Sequence, residues 1–292
     1  MINITFRQME IFVQVARSLN MRQSSQSMAM SHSAISMAIS ELETALSGPL
    51  FDRVKHRLVL NQRGRYLLEH LSPVLIEVED HIKILKNDTL TGQLDVGASS
   101  TIGNYLLPKI IGKFSAPYGD RVDVRLHIAN TSAIEAQLLA YTLDIALVEG
   151  PISDTRRLAE TPWIDDQLCI ISAIPPTTDT PVHLAALADH RWILREEGSG
   201  TLTVFEQVLY QQSITLGRTM TMGHTEAVKH AVEAGLGIAC VSQFTVQHEL
   251  DSGRLFKIPT IESLIRPFYW VIVKNRYQSV LQRDFLQFLT HA

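Results

Sequence analysis

The chain has little cysteine: of 292 residues only Cys169 and Cys240 carry a thiol. No second cysteine lies near either in sequence, so no redox pair is indicated, and both are expected to be buried apolar residues. No run approaches the roughly 20 apolar residues that cross a bilayer. The opening segment MINITFRQMEIFVQVARS has charges inside its apolar run and no small-residue cleavage site, so it does not read as a signal peptide. A cytoplasmic, soluble protein without a membrane partner is expected. Catalytic motifs are missing as well: there is no phosphate loop, no G-x-S-x-G elbow and no H-E-x-x-H, since His248-Glu249 lacks the second histidine. Gly235-Leu236-Gly237 follows a helical pattern and precedes a strand, the reverse of a dinucleotide loop. Asp165-Asp166 is a bare acidic pair, expected at the surface. These absences point away from an enzyme, a cofactor, a metal site and an exported solute-binding protein.

What is present is an uneven distribution of charge. The net charge of -4 does not by itself suggest nucleic acid. Residues 1–65, however, hold eight Lys/Arg against four Asp/Glu, a net of +4, which leaves -8 for the remainder. A basic head on an acidic body suits a DNA-binding module joined to something that does not touch DNA.

In the head, Phe6, Met9, Phe12, Val13 and Ala16 form the apolar stripe of a first helix capped by Thr5. Asn20 caps a second short helix, with Gln23 placed to complete a capping box, and that helix ends near Met28. Ala29-Met30-Ser31 is the tight turn, and Ser31 caps a third helix with Ile35, Ile39, Leu42 and Leu46 on its inner stripe. Helix, three-residue turn, helix is the helix-turn-helix spacing. His32, Ser33, Ser36, Met37 and Ser40 are left to face a major groove, where hydroxyls bond base edges or phosphates and a Met touches a thymine methyl. Two short strands, Leu50–Arg53 and Arg57–Leu60, joined through Val54-Lys55-His56, form a wing whose Arg53, Lys55 and Arg57 meet the sugar-phosphate backbone.

The runs SHSAISMAISELE, LFDR and LNQRGR resemble the signature of LysR-type transcriptional regulators, and length and element order extend the resemblance over the whole chain. His32 stands where that family usually has Gln, and Met37 where it often has a basic residue or Gln, so the base preference departs from the family pattern. The resemblance implies an α+β multidomain fold: an N-terminal winged helix-turn-helix (1–62), a long linker helix (63–90) and a C-terminal α/β effector domain (91–292). That domain would resemble a periplasmic binding protein, with one subdomain of residues 91–164 and 267–292 and another of 165–266, joined by strands crossing near 164–167 and 264–267.

From Asn61 to about Lys86, Leu67, Leu71, Val74, Val78, Ile82 and Leu85 keep an apolar stripe suited to packing on a copy of itself, with Pro73 inside it. The resemblance makes this the dimerisation helix, with paired heads in a homodimer or homotetramer reading a two-fold symmetric promoter site on double-stranded DNA.

The body alternates short strands with amphipathic helices, an α/β pattern expected to give parallel sheets. Ligands in such folds sit beyond the carboxyl ends of strands at helix N-termini, which favour small anions. Three strand ends offer that chemistry: Ser99-Ser100-Thr101, Arg195 with Ser199-Gly200-Thr201, and His224-Thr225. Glu149 is placed either to pair with Arg195 or to contact a ligand donor. The segments ASSTIGNY, VEGP, ILREEGSGT and EAVKHAVEAGLGIACVS resemble a LysR-type subgroup linked to sulfur metabolism, some of whose members sense oxyanions such as sulfite. A small anionic effector of that kind is expected, with a neutral or organic-acid metabolite as the alternative.

Overall fold

A computed structural model describes residues 4–55, 57–85 and 90–291, with the backbone alone at 83–85. The head consists of α1 (Phe6–Ser18), α2 (Met21–Ser27) and α3 (His32–Ala45), then β1 (Phe51–Val54), β2 (Arg57–Leu60) and α4 (Gln62–Leu85). Thr5 caps α1 in a full capping box: its hydroxyl accepts from the Gln8 amide, and the Gln8 side chain accepts from the Thr5 amide. At α2 the Asn20 side chain accepts from the amides of Arg22 and Gln23. Ala29 takes a left-handed conformation in the turn, and Ser31 caps α3 by accepting from the Ala34 amide.

Ile35, Ala38, Ile39 and Leu42 of α3 are buried in one core with Ile11, Phe12, Val15 and Ala16 of α1. The buried arc of α1 is therefore displaced from the expected stripe: Phe6 is exposed, while Ile11 and Val15 go inside. The physical reason is that α1 is packed by α2, α3 and α4 together, so a single-stripe reading misses the second contact side. In the wing, Phe51 pairs with Leu60 and its ring lies 5.7 Å from that of Phe12. His56, expected in the wing turn, lies outside the described residues.

Asn61 caps α4 by accepting from the Gly64 amide. Leu67, Leu68 and Leu71 pack on the head core, whereas Val74, Val78 and Ile82, at steps of four, are exposed. Pro73 sits inside the helix. The Leu85 side chain, the last of the expected stripe, and Lys86, the expected helix end, lie outside the described residues. On the other face of α4, buried Asp80 accepts from the Tyr277 hydroxyl and the Val280 amide. Residues 140–142 and 275–284 belong to the same compact unit as the head and α4; the rest of the body forms a second unit.

The body runs β3 (Gly92–Ser99), a π-helical turn at Ile102–Leu106, α5 (Leu107–Ser115), β4 (Val122–Ala129), α6 (Thr131–Leu139), β5 (Ile145–Glu149) and β6 (Leu158–Ser172). It continues with β7 (Arg191–Arg195), α7 (Gly200–Gln211), β8 (Arg218–Met222), α8 (Thr225–Glu233), β9 (Ala239–Ser242), α9 (Gln243–Asp251), β10 (Phe256–Ile258), β11 (Ile265–Val273) and α10 (Val280–Leu289). The expected alternation is present, but the pairing is mixed rather than parallel. Strand β3 pairs parallel with β4 and β5, and β7 with β8. The partners of β6 and β11 are all antiparallel. A strand that leaves one subdomain and the strand that returns lie side by side in opposite directions, which imposes that pairing.

Strand β6 belongs to both subdomains. Its first part, to Gln167, pairs with β11, and from Leu168 onward it pairs with β9 and β10. The return crossing pairs Ile265, Arg266 and Pro267 with Gln167, Asp166 and Asp165. Cys169 faces Val241 and Ile170 faces Cys240, so the two thiols are one register step apart and fall on opposite faces of the sheet. Each enters a different apolar cluster, and burial pushes both thiols up, Cys169 to about 12. Neither offers a thiolate for redox chemistry near neutral pH. Among the described residues no helix is long and apolar enough to cross a membrane.

Candidate functional site

On α3 the side chains of His32, Ser33, Ser36, Met37 and Ser40 are exposed along one face, with Met37 62% accessible. Ser31 is occupied as the helix cap and lies 3.0 Å from the Ser33 hydroxyl. Arg53, Lys55 and Arg57 are exposed on the wing. Arg53 stands opposite Leu58 and Arg57 opposite Val54, so the two guanidiniums leave the ribbon on opposite faces. Two further basic residues of the head, Arg63 and Arg65, act as staples. Arg63 donates to the Leu46 carbonyl at 2.6 Å and Arg65 to the Leu60 carbonyl at 2.6 Å, satisfying chain ends within the head.

The body residues selected from sequence divide into two groups. The first lines a cavity of about 890 Å³: Ser100 after β3, Arg195 at the end of β7, and His224 with Thr225 at the start of α8. Asn104, Tyr105, Ile128, Asn130, Glu196 and Glu226 complete its walls. Arg195 is held by three hydrogen bonds to two residues: its Nε and Nη2 donate to the Glu196 carboxylate at 2.8 and 2.9 Å, and Nη1 to the Thr225 hydroxyl at 2.7 Å. At the far wall the Tyr105 hydroxyl donates to Glu226, and buried Lys229 donates to Glu226, to the Thr245 carbonyl and, at 3.4 Å, to the Tyr105 oxygen. Burial and the bond to Glu226 raise the Tyr105 hydroxyl to about 12, so it is a donor at any physiological pH. Burial pushes the Lys229 ammonium down, but Glu249 and Glu226 outweigh it and the net direction is up. The cavity therefore has charges of both signs, each largely neutralised by a neighbour.

The second group lies behind the cavity, around a residue not anticipated from sequence. Arg266 is fully buried on β11 and bonds both Glu149 and Asp166. Its Nη1 also donates to the Thr201 hydroxyl at 2.7 Å. Glu149 further accepts from the Thr101 amide at 2.6 Å and from the Thr201 hydroxyl at 3.3 Å, and Ser99 is buried against the same carboxylate. Gly200 is required here, because a Cβ would lie 2.0 Å from the Glu149 carbonyl oxygen. Ser199 begins α7 and is buried. Glu149 thus pairs with Arg266 and not with Arg195. Asp166 is buried rather than on the surface, and it accepts from the Ser242 hydroxyl at 2.7 Å. A charge in the apolar run LIRPFYWVIV was the available signal for Arg266, since such a group is buried only with partners. Glu226 and Lys229 were legible as an i,i+3 pair.

Burial pushes the Glu149 carboxyl up, but the Arg266 guanidinium and the Thr101 amide overcome it and hold it below its ordinary 4.5. At Asp166 burial wins and the direction is upward, because one guanidinium serves two carboxylates. A carboxyl depressed in the folded state stabilises above its unfolded value and loses that contribution as pH falls through the folded one. The thermal midpoint should therefore decline below pH 4.5, more steeply in the natural protein than in Glu149→Gln. Calorimetric melts over roughly pH 3–6 check this; identical slopes would contradict it.

Comparison with known proteins covers both parts of the chain. Residues 6–65 match the bacterial regulatory helix-turn-helix protein family, lysR type, and residues 87–292 match the LysR substrate binding domain. The HTH-type transcriptional regulator YeiE of Escherichia coli is 35% identical over 292 residues, covering 99% of this chain and 98% of that protein. The regulator CfxR of Cupriavidus necator is 32% identical, covering 86% and 80%. A full-length OxyR variant from Pseudomonas aeruginosa shares the fold with a TM-score of 0.81 at 19% identity, over 99% of this chain and 94% of that one. The regulatory domain of Synechocystis CcmR, solved in complex with 2-PG, is 26% identical with a TM-score of 0.64, over 69% and 97%. The two family matches, which together span nearly the whole chain, and the relative of 35% identity assign the chain to the LysR family of bacterial transcriptional regulators.

Proposed function

We propose that the α3 face formed by His32, Ser33, Ser36, Met37 and Ser40 reads base edges in a promoter, and that Arg53, Lys55 and Arg57 grip the phosphates on either side. The observation that carries this is the exposure of all eight side chains on two adjoining elements. Ser31 contributes as the cap that orients the helix. Because Arg53 and Arg57 leave opposite faces of the wing, the ribbon fits between two backbones rather than against one. Binding to the protein's own upstream region should exceed binding to random duplex at physiological salt. Each wing cation removed should weaken both equally and lower the slope of log K against log salt by about 0.9 per head. Fluorescence anisotropy on the natural protein and Arg53→Ala, across a salt series, makes the measurement; an unchanged slope would remove Arg53 from the phosphate contacts.

For the effector, the reading best supported is a small oxyanion of the sulfur class, such as sulfite. The start of α8 at His224 and Thr225, the Ser100 hydroxyl and Arg195 converge on one cavity, and helix starts with hydroxyls favour anions. The CcmR regulatory domain, 26% identical to this chain over the matched part, was solved in complex with 2-PG, which is a precedent for a small ligand. A larger organic acid is the second reading, favoured by the volume of about 890 Å³ and the apolar wall at Ile128. Ser99, Thr101, Glu149, Ser199, Gly200 and Thr201 then act by shaping the cavity from behind. A thermal-shift panel on the full chain with sulfite, sulfate, phosphate and 2-PG decides between the classes; a saturable rise with none of them would set the anionic reading aside.

The body is divided, in this proposal, into 91–164 with 267–292 and 165–266, supported by the change of partners of β6 after Gln167. A ligand touching both subdomains favours one relative orientation and shifts that population. The exposed Val74, Val78 and Ile82 of α4 support pairing of two linker helices, with homodimers or homotetramers presenting paired heads.

A further inference from the structure

Arg195 and Glu196 are adjacent in sequence, and successive side chains of an extended strand point to opposite faces. They meet because the chain turns as β7 ends: the Ser199 amide donates to the Glu196 carbonyl, and Gly198 takes a φ of +84°. The result is a two-pronged pair, Nε to Oε2 at 2.8 Å and Nη2 to Oε1 at 2.9 Å. This is the geometry in which a guanidinium holds any planar or tetrahedral oxyanion. The same Oε1 accepts from Asn130 Nδ2 at 3.3 Å, at the end of β4 on the facing wall. Thus Glu196 puts a carboxylate where three donors from two walls of the cavity converge.

We propose that the Glu196 carboxylate is a built-in competitor for the effector, occupying the seat of the effector's oxyanion, and that an anion binds by displacing it from Arg195. The inference rests on the anionic reading given above. The two partners differ in freedom. The Arg195 side chain is 4% exposed and is tied to Thr225, whereas the Glu196 side chain is 26% exposed and borders the cavity. Glu196 can rotate into water, while Arg195 stays. The backbone need not move, because Gly198 is held by the Ser132 amide on its carbonyl. A Cβ at Gly198 would lie 2.3 Å from the Ser132 hydroxyl, so the turn has little room to shift.

Displacement makes the site selective. With Glu196 in place the guanidinium charge is neutralised, so an anion that offers one weak acceptor gains nothing by exchange. An oxyanion succeeds when two of its oxygens take Nε and Nη2 together and a third acceptor reaches Asn130 or the start of α8. The chemical class is therefore an oxyanion with at least two geminal oxygens, and Glu196 sets the affinity threshold that it must exceed.

The test is titration calorimetry on the full chain and on Glu196→Gln with sulfite, sulfate and phosphate as probes. Glutamine keeps the shape and an acceptor for Arg195 but removes the competing charge. Glu196→Gln should bind sulfite at least ten-fold more tightly than the natural protein, or bind sulfate or phosphate where the natural protein binds neither. If the natural protein binds sulfite and Glu196→Gln binds it equally or more weakly, the competitor role is overturned while the anionic reading stands. If neither protein binds any of the three, both are overturned.

Discussion

Arg266→Met is expected to destabilise the effector body by ~3–5 kcal/mol, because it leaves buried carboxylates without their cation. Arg266 is the single guanidinium between Glu149 and Asp166, which are 2% and 1% accessible. An ionised carboxylate in such surroundings must be compensated or must take up a proton, and either costs free energy. For a body of roughly 200 residues the loss corresponds to a fall in thermal midpoint of roughly 6–20 °C. Asp166→Asn should cost less, since Arg266 retains Glu149 and the new amide oxygen can still accept from Arg266, with its NH2 group turned to the Ser242 hydroxyl oxygen. Thermal and urea melts followed by circular dichroism measure both. A loss under about 1 kcal/mol for Arg266→Met, the range of exposed pairs, would mean the network is solvated and not structural. The position matters for function because Arg266 touches Glu149 at the end of β5, Thr201 at the start of α7 and Asp166 on the crossing strand. Weakening it should loosen the join between subdomains before either core melts.

The combined substitution Val78→Asp with Ile82→Asp is expected to yield a monomer with promoter affinity lowered by about 10²–10⁴-fold, the usual gain from linking two weak contacts. In the single chain these side chains are 37% and 45% exposed, so the substitutions remove little from the fold of one molecule. Charges facing each other across a helix pair would abolish the apolar seam. Sedimentation velocity reads the assembly state, and anisotropy on the upstream region reads affinity. A variant that remains a dimer, or a monomer that binds as tightly as the natural protein, would remove this stripe from the interface. The two predictions are independent: one acts on the body without altering α4, the other acts on α4 without touching the cavity.

Local signals carried most of the head. The caps at Thr5, Asn20, Ser31 and Asn61 lie where short-range hydrogen bonding demands them, and the inner stripe of α3 follows from a period of 3.6 residues. The arc of α1 was misjudged because three neighbours, not one, cover that helix. In the body the strands and helices were legible as alternating patterns, and the segments expected to cross, 164–167 and 264–267, lie on β6 and on and just before β11, where Gln167 pairs with Ile265. What escaped was partnership over long sequence separation. Glu149 and Arg195 both end strands and carry opposite charge, yet each found a different partner: Arg266, 117 positions away, and Glu196, next in the chain.

The amino-acid order by itself determined that a basic winged head precedes an acidic body of alternating strands and helices, because capping, periodicity and net charge act over a few residues and need no knowledge of the rest. Which polar residues face the cavity and which are sealed behind it was decided only by the tertiary structure. Ser100 and Thr101 are neighbours, but one lines the cavity and the other is buried with its amide on Glu149. That difference comes from packing: the direction of a side chain at a strand end depends on which distant charge must be neutralised in a medium where an unpaired one is too costly to keep.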